Sequence, residues 1–174
     1  MLKLYESTPG INIMSLRTGG PIARLLAPII NPNNLYIEGW FVEDNRSKHQ
    51  LVLLSNDIRD ILPQGFAVND HEVLSDPSEL IRLKEVLDLK FNLIGLSVTS
   101  ESGKKYGKIN DYAFETSNSF VQKLYVGQSL VKNFSGGTIS VDRSQIVEVT
   151  NQRIIIEDPT EKSKAAVVSA GAPG

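Results

Sequence analysis

The chain contains no cysteine. Disulfides, thiolate nucleophiles and cysteine-ligated zinc are excluded at once. Histidine occurs twice, at His49 and His71. Neither has a second histidine or a carboxylate at metal-ligand spacing, so no metal centre is expected. No charge of one sign dominates: a formal net charge of −2 over 174 residues gives no field that would draw in nucleic acid or an acidic lipid surface. Long apolar runs are also missing. The longest, IARLLAPII at 22–30, is interrupted by Arg24 and falls well short of the ~20 residues that span a bilayer. The opening MLKLYESTPG lacks the apolar centre of an export signal. These absences lead to the expectation of a soluble, cytoplasmic protein with no direct membrane insertion.

What the chain does have is strands. NLYIEGWFV (34–42), HQLVLLS (49–55), NSFVQKLYV (118–126), GTISVD (137–142) and QRIIIED (152–158) are β-branched or aromatic runs bounded by Asn, Asp, Ser and Gly. Short strands at this spacing suggest small barrels or sandwiches. One segment differs. SDPSELIRLKEVLDLK offers Asp76 as N-cap, Pro77 at the first helical position, and Leu80, Leu83 and Leu87 at helical spacing. The pattern predicts a helix over 76–90.

That helix lies at the midpoint, and the two sides of it repeat each other. Shifted by 84, residues 22–42 fall on 106–126 without a gap: Leu25 on Ile109, Ile30 on Phe114, Tyr36 on Phe120, Trp40 on Leu124, Val42 on Val126. Shifted by 88, residues 49–70 fall on 137–158: Ile58 on Ile146, Phe66 on Ile154, Val68 on Ile156, Asp70 on Asp158. Both copies break the two-residue strand period in the same place. Leu25, Pro28 and Ile30, like Ile109, Tyr112 and Phe114, share a face only if a bulge or sharp bend intervenes.

The stretch ESGKKYGKIND (101–111) carries two glycines and a lysine pair, which raises the question of a phosphate cradle. No helix comes after it, so the helix N-terminus that such cradles use is absent. Gly103 sits where a hairpin needs positive φ, and Gly107 sits inside the next strand. Lys104, Lys105 and Lys108 with Tyr106 form a candidate nucleic-acid contact, interrupted by Glu101 and Asp111. Gly127-Gln128-Ser129 begins like a nucleophile elbow, but Val131 stands where the second glycine is needed.

The segment LIGLSVTSESGKKYGKINDYAFE, through Ile94, Gly95, Val98, Gly103, Gly107, Ile109 and Asp111, resembles the opening of a PRC-barrel domain. GTISVDRSQIVEVTNQRIIIED is similar to that family's closing strands. The resemblance covers about residues 92–158. The first copy carries it only through the internal alignment, with Gly19 at the place of Gly103 but Ala23 and Ala27 where Gly107 and Asp111 stand. The resemblance implies a mainly β fold of two small, strongly bent barrels joined by one α-helix. The first domain would span 11–72, the helix 76–90 and the second domain 92–158; the tail 159–174, small, polar and uncapped in composition, is expected to be disordered. The resemblance further implies Gly103, Gly107 and Asp111 as structural turn residues, no catalytic residues, no cofactor, and a role in protein–protein contact. The alternative is a ribosome- or RNA-associated maturation factor of the RimM type, another member of that family.

Strand 35–42 is apolar on both faces: Tyr36, Trp40 and Val42 on one, Leu35, Ile37 and Phe41 on the other. Its second-copy counterpart sets Val121 and Tyr125 against Phe120, Leu124 and Val126. A half-exposed strand alternates with polar residues, so the second apolar face must be covered. Leu35, Ile37, Phe41, Val121 and Tyr125 therefore form the candidate interaction surface. Its cover is either the helix and the other barrel or, as an interface, a protein partner or a second copy of the chain.

Overall fold

A computed structural model describes residues 1–127 and 137–158. The expected disordered tail and the elbow-like Ser129 lie outside the described residues. The fold is mainly β, with one short α-helix among the described residues. In chain order the strands are β1 (Leu2–Leu4), β2 (Asn12–Ser15), β3 (Pro21–Asn31), β4 (Tyr36–Asp44), β5 (Gln50–Leu54), β6 (Ile58–Leu62), β7 (Gly65–Val68) and β8 (Leu74–Ser75). After the helix α1 (Lys84–Leu89) come β9 (Ser97–Ser100), β10 (Lys105–Glu115), β11 (Val121–Gly127), β12 (Thr138–Asp142), β13 (Ile146–Val149) and β14 (Arg153–Ile156). The chain divides into two compact units. The first is Met1–Phe91 with Glu115–Phe120, and the second is Asn92–Phe114 with the residues from Val121 onward.

The first sheet runs β6-β7-β2-β3-β4-β5-β8, and the second includes the order β13-β14-β9-β10-β11-β12. These are one topology written twice, down to a parallel pair set among antiparallel ones: β2 with β7, and β9 with β14. Register repeats as well. Leu25 pairs with Val42 and Ala27 with Phe41, leaving Leu26 as the extra residue. Ile109 pairs with Val126 and Asp111 with Tyr125, leaving Asn110 extra. A one-residue bulge thus sits where the period broke in the sequence. It turns Leu25 and Ile30, and likewise Ile109, Tyr112 and Phe114, into buried positions. Another repeated bulge lies between Ile58 and Asp60 and between Ile146 and Glu148.

Each unit buries a set of apolar strand residues. In the first, Ile13, Leu25, Ile37, Trp40, Leu53 and Phe66 lose essentially all solvent contact, with Trp40 edge-on to Phe66 at 5.5 Å between ring centroids. In the second, Ile109, Tyr112, Leu124 and Ile154 take the corresponding roles.

The expected helix over 76–90 is shorter than its sequence pattern. Asp76 does cap: its side chain accepts from the Ser78 N–H, with Pro77 between them. Past the cap, however, the chain forms a 3-10 turn at Pro77–Glu79, a second at Ile81–Leu83, and α-helix over Lys84–Leu89 alone. The break lies at Leu80, whose φ −92 and ψ 73 leave the helical basin. Packing explains it. Leu80, Leu83, Val86 and Leu87 must all reach the sheet face formed by Ile29, Phe41, Val52 and Leu54, and the hinge at Leu80 lets the chain track that twisted surface.

Candidate interaction surface

Three aspartates, Asp44 and Asp70 buried and Asp158 exposed, organise loops. In the first unit Asp70 accepts from the Ser15 hydroxyl at 3.0 Å and pairs with the Arg17 guanidinium. In the second unit Asp158 accepts from the Ser102 N–H at 3.1 Å and from the Ser102 hydroxyl. Each aspartate comes after the last core strand of its repeat and fastens the β2–β3 or β9–β10 turn. Both carboxyls are held below the ordinary range: Asp70 chiefly by the His71 backbone N–H, Asp158 chiefly by the Ser102 hydroxyl. Asp44 fixes another loop. It accepts from the Ser47 hydroxyl at 2.7 Å, the Ser47 N–H at 3.1 Å and His71 Nε2 at 2.9 Å. Burial works to raise its pKa, but the Ser47 hydroxyl and His71 outweigh it and depress the pKa far below the ordinary 3.8. Ser47, Asp44 and His71 do not make a nucleophile triad, because the carboxylate lies between the hydroxyl and the imidazole, leaving the serine without a base.

The candidate surface residues separate. Leu35, Ile37 and Val121 are buried, while Phe41 and Tyr125 are half-buried. Leu35 is a turn residue at φ 56, outside any strand alternation, and Ser119 at φ 61 holds the matching place in the repeat. Ile37 pairs with Ile30 and Gly39 with Ile29, so Glu38 is an extra residue in β4. Gln122 is the extra residue in β11, between Val121 and Lys123. The added residue moves Ile37 to the face of Trp40 and Val42, and Val121 to that of Leu124 and Val126. These three side chains are core and offer no docking area. Phe41 does face outward, and it is covered within the first unit by the segment carrying Leu80, Leu83, Val86 and Leu87.

The basic stretch keeps its lysines exposed at Lys104, Lys105 and Lys108. Lys104 Nζ sits 5.2 Å from the Tyr106 ring centroid, and its charge also acts on Asp158. Gly103 has φ 88 in the turn. Gly107 has φ 124 just after the extra residue Tyr106 in β10, a conformation that strains any side chain. Asp111 is buried, and its carboxylate accepts from the Tyr112 N–H at 2.8 Å.

Sequence reasoning missed a groove of about 760 Å³ in the first unit, running beside α1. One wall is strand residues, including Asn31, Tyr36, Glu38 and Leu54; the other is residues 79–83 and Glu85, with Val86 and Leu89. Leu54, Leu80 and Val86 are partly buried against the core cluster. Ile81 is 83% exposed and Leu89 44%. A signal was present: Ile81 falls off the Leu80–Leu83–Leu87 face of the helical pattern. Burial and the Glu38 carboxylate both raise the Tyr36 hydroxyl above its ordinary range.

No helix among the described residues is long and apolar enough to cross a membrane. No protein-family model and no curated protein sequence matches the chain.

Proposed function

We propose that this chain is a non-enzymatic interaction module built from two barrel-like repeats of the PRC type, docking a protein partner in the groove beside α1. The barrel-like reading is supported by chain length. Only Ser55–Asp57 separate β5 from β6, so Leu54 and Ile58 lie no more than about 14 Å apart. In a flat sheet those strands, five places apart in the order, would be separated by about 24 Å. The sheet has to curl, although its ladder does not close. The same three-residue link, Arg143–Gln145, joins β12 to β13 at opposite ends of the second sheet.

The observation that carries the interaction reading is the exposure of Ile81 and Leu89 at the mouth of a groove with an apolar floor. Isolated exposed aliphatics are ordinary, but apolar side chains gathered around a concavity with a polar rim mark a docking site. The buried carboxylates of Asp44 and Asp70 support the non-enzymatic part, since each is committed to loop hydrogen bonds. To test the reading, a photo-crosslinking residue replaces Ile81 in the full chain, which is then irradiated in lysate of its own host. A single discrete adduct that disappears when Leu89→Asp is added is the expected result. Absence of an adduct, or one indifferent to Leu89, refutes docking in this groove.

A further inference from the structure

We propose that the groove's occupant is a protein segment bearing an aliphatic anchor flanked by lysine or arginine; this rests on the reading of the groove as a docking site. The floor sets the anchor. Leu54, Leu80 and Val86 give an aliphatic surface, and Ile81 and Leu89 extend it toward solvent. The rim sets the charge. Among the described residues, Glu38, Glu79 and Glu85 line the groove against a single cation, Arg82. The Asn31 side-chain amide donates to Glu38 Oε1 at 3.0 Å, which fixes that carboxylate on the groove wall. The surplus of negative charge disfavours nucleic acid phosphate and anionic lipid and favours a cationic flank on the incoming segment. Apolar burial would hold the segment, and the rim would select and steer it.

The probes are three fluorescein-labelled peptides of equal length: leucine with lysine, leucine with glutamate, and serine with lysine. Fluorescence anisotropy with the full chain reports binding. The leucine–lysine peptide is expected to bind at least about tenfold more tightly than either other peptide, and to weaken as salt rises from about 0.05 M to about 0.5 M. Glu79→Lys with Glu85→Lys reverses the preference between the two leucine peptides. Ile81→Ser with Leu89→Ser removes binding while leaving Trp40 fluorescence unchanged, which shows that the fold is intact. Equal binding of the two leucine peptides, equal binding of the two lysine peptides, or indifference to the charge reversal overturns the proposal. So does a concentration-dependent oligomer that Ile81→Asp dissolves, because the occupant is then a second copy. A crosslinked partner at position 81 whose contacting segment carries no basic flank sinks the chemistry proposed here and leaves docking standing. No adduct together with no peptide binding sinks both.

Discussion

Replacing Gly39 by alanine probes how closely the β4–β5 ladder is drawn together. A Cβ built on Gly39 falls 2.6 Å from the Leu53 carbonyl oxygen and 3.2 Å from Leu54 Cα. Both are backbone atoms held in the ladder, where Gly39 pairs with Leu54 and Trp40 with Leu53. Neither can rotate aside, so the strands themselves must move apart. Overpacking of this kind costs about 1–3 kcal/mol, and the rigidity of the neighbours places Gly39→Ala toward the upper end. Alanine stiffens the unfolded chain and returns about 0.4–1 kcal/mol. The net loss is about 1–2 kcal/mol, or roughly 5–15 °C in Tm for a unit of about 100 residues. The assay is built in. Trp40 is the sole tryptophan and is buried in the first unit, so its fluorescence during thermal or urea unfolding tracks that unit. Gly20→Ala is the control. The nearest atom to its Cβ is Thr18 Oγ1 at 3.9 Å, an ordinary contact, and stability should be unchanged or slightly higher. The second unit carries Lys123 opposite Asp142 where the first has Gly39 opposite Leu54. The topology therefore tolerates a side chain there, and the demand for glycine is local to the first copy. Gly39→Ala unfolding within about 0.5 kcal/mol of the unmutated chain, a shift ordinary for a harmless surface change, would refute the reasoning.

Two further predictions concern polar groups. Asp44 has a folded pKa depressed below its unfolded 3.8, so the unfolded state takes up protons first as pH falls. The stability Asp44 contributes is complete above about pH 5 and is lost as pH drops through 3.8 toward the folded value. Asp44→Asn should lower the urea midpoint of the first unit at pH 7 and flatten its decline below about pH 4, monitored by Trp40 fluorescence; an acid limb of unchanged steepness contradicts the assignment. The Tyr106 hydroxyl is buried with no hydrogen-bond partner among the described residues. Tyr106→Phe should be neutral or stabilising by about 1 kcal/mol in calorimetry, and a loss of that size instead would mean that the hydroxyl has a partner.

The repeat was legible because bulges leave a trace in hydrophobic phase. Leu25 with Ile30, and Ile109 with Phe114, kept their shared burial only through an extra residue, and Leu26 and Asn110 supply it. Asp70 and Asp158 aligned in the sequence and do the same work in both turns. The bulge shared by β4 and β11 escaped notice. Glu38 and Gln122 leave no visible phase break over so short a run, so Ile37 and Val121 were set on the wrong face. Leu35 misled for a backbone reason, since a left-handed leucine has no signature in composition. The helix was over-extended because leucine spacing reports which side chains must be buried, not whether the backbone between them stays helical at Leu80. The groove had no periodic signature at all: it is bounded by two elements that meet only after folding.

How the two copies have diverged explains why the groove belongs to the first. On the outer face the first copy presents Ile29, Phe41, Val52 and Leu54, against which Leu80, Leu83, Val86 and Leu87 pack. At the same register positions the second copy has Ala113, Tyr125, Ser140 and Asp142. Each of the four exchanges removes aliphatic bulk or adds a polar group. A sheet face that carries polar groups does not require a covering segment, whereas four apolar side chains do. The inner faces keep their apolar character, Trp40, Val42 and Leu53 corresponding to Leu124, Val126 and Val141, all buried. An apolar core is thus common to both copies. The outer faces differ, and in the first copy that face is covered by the segment that leaves Ile81 and Leu89 exposed.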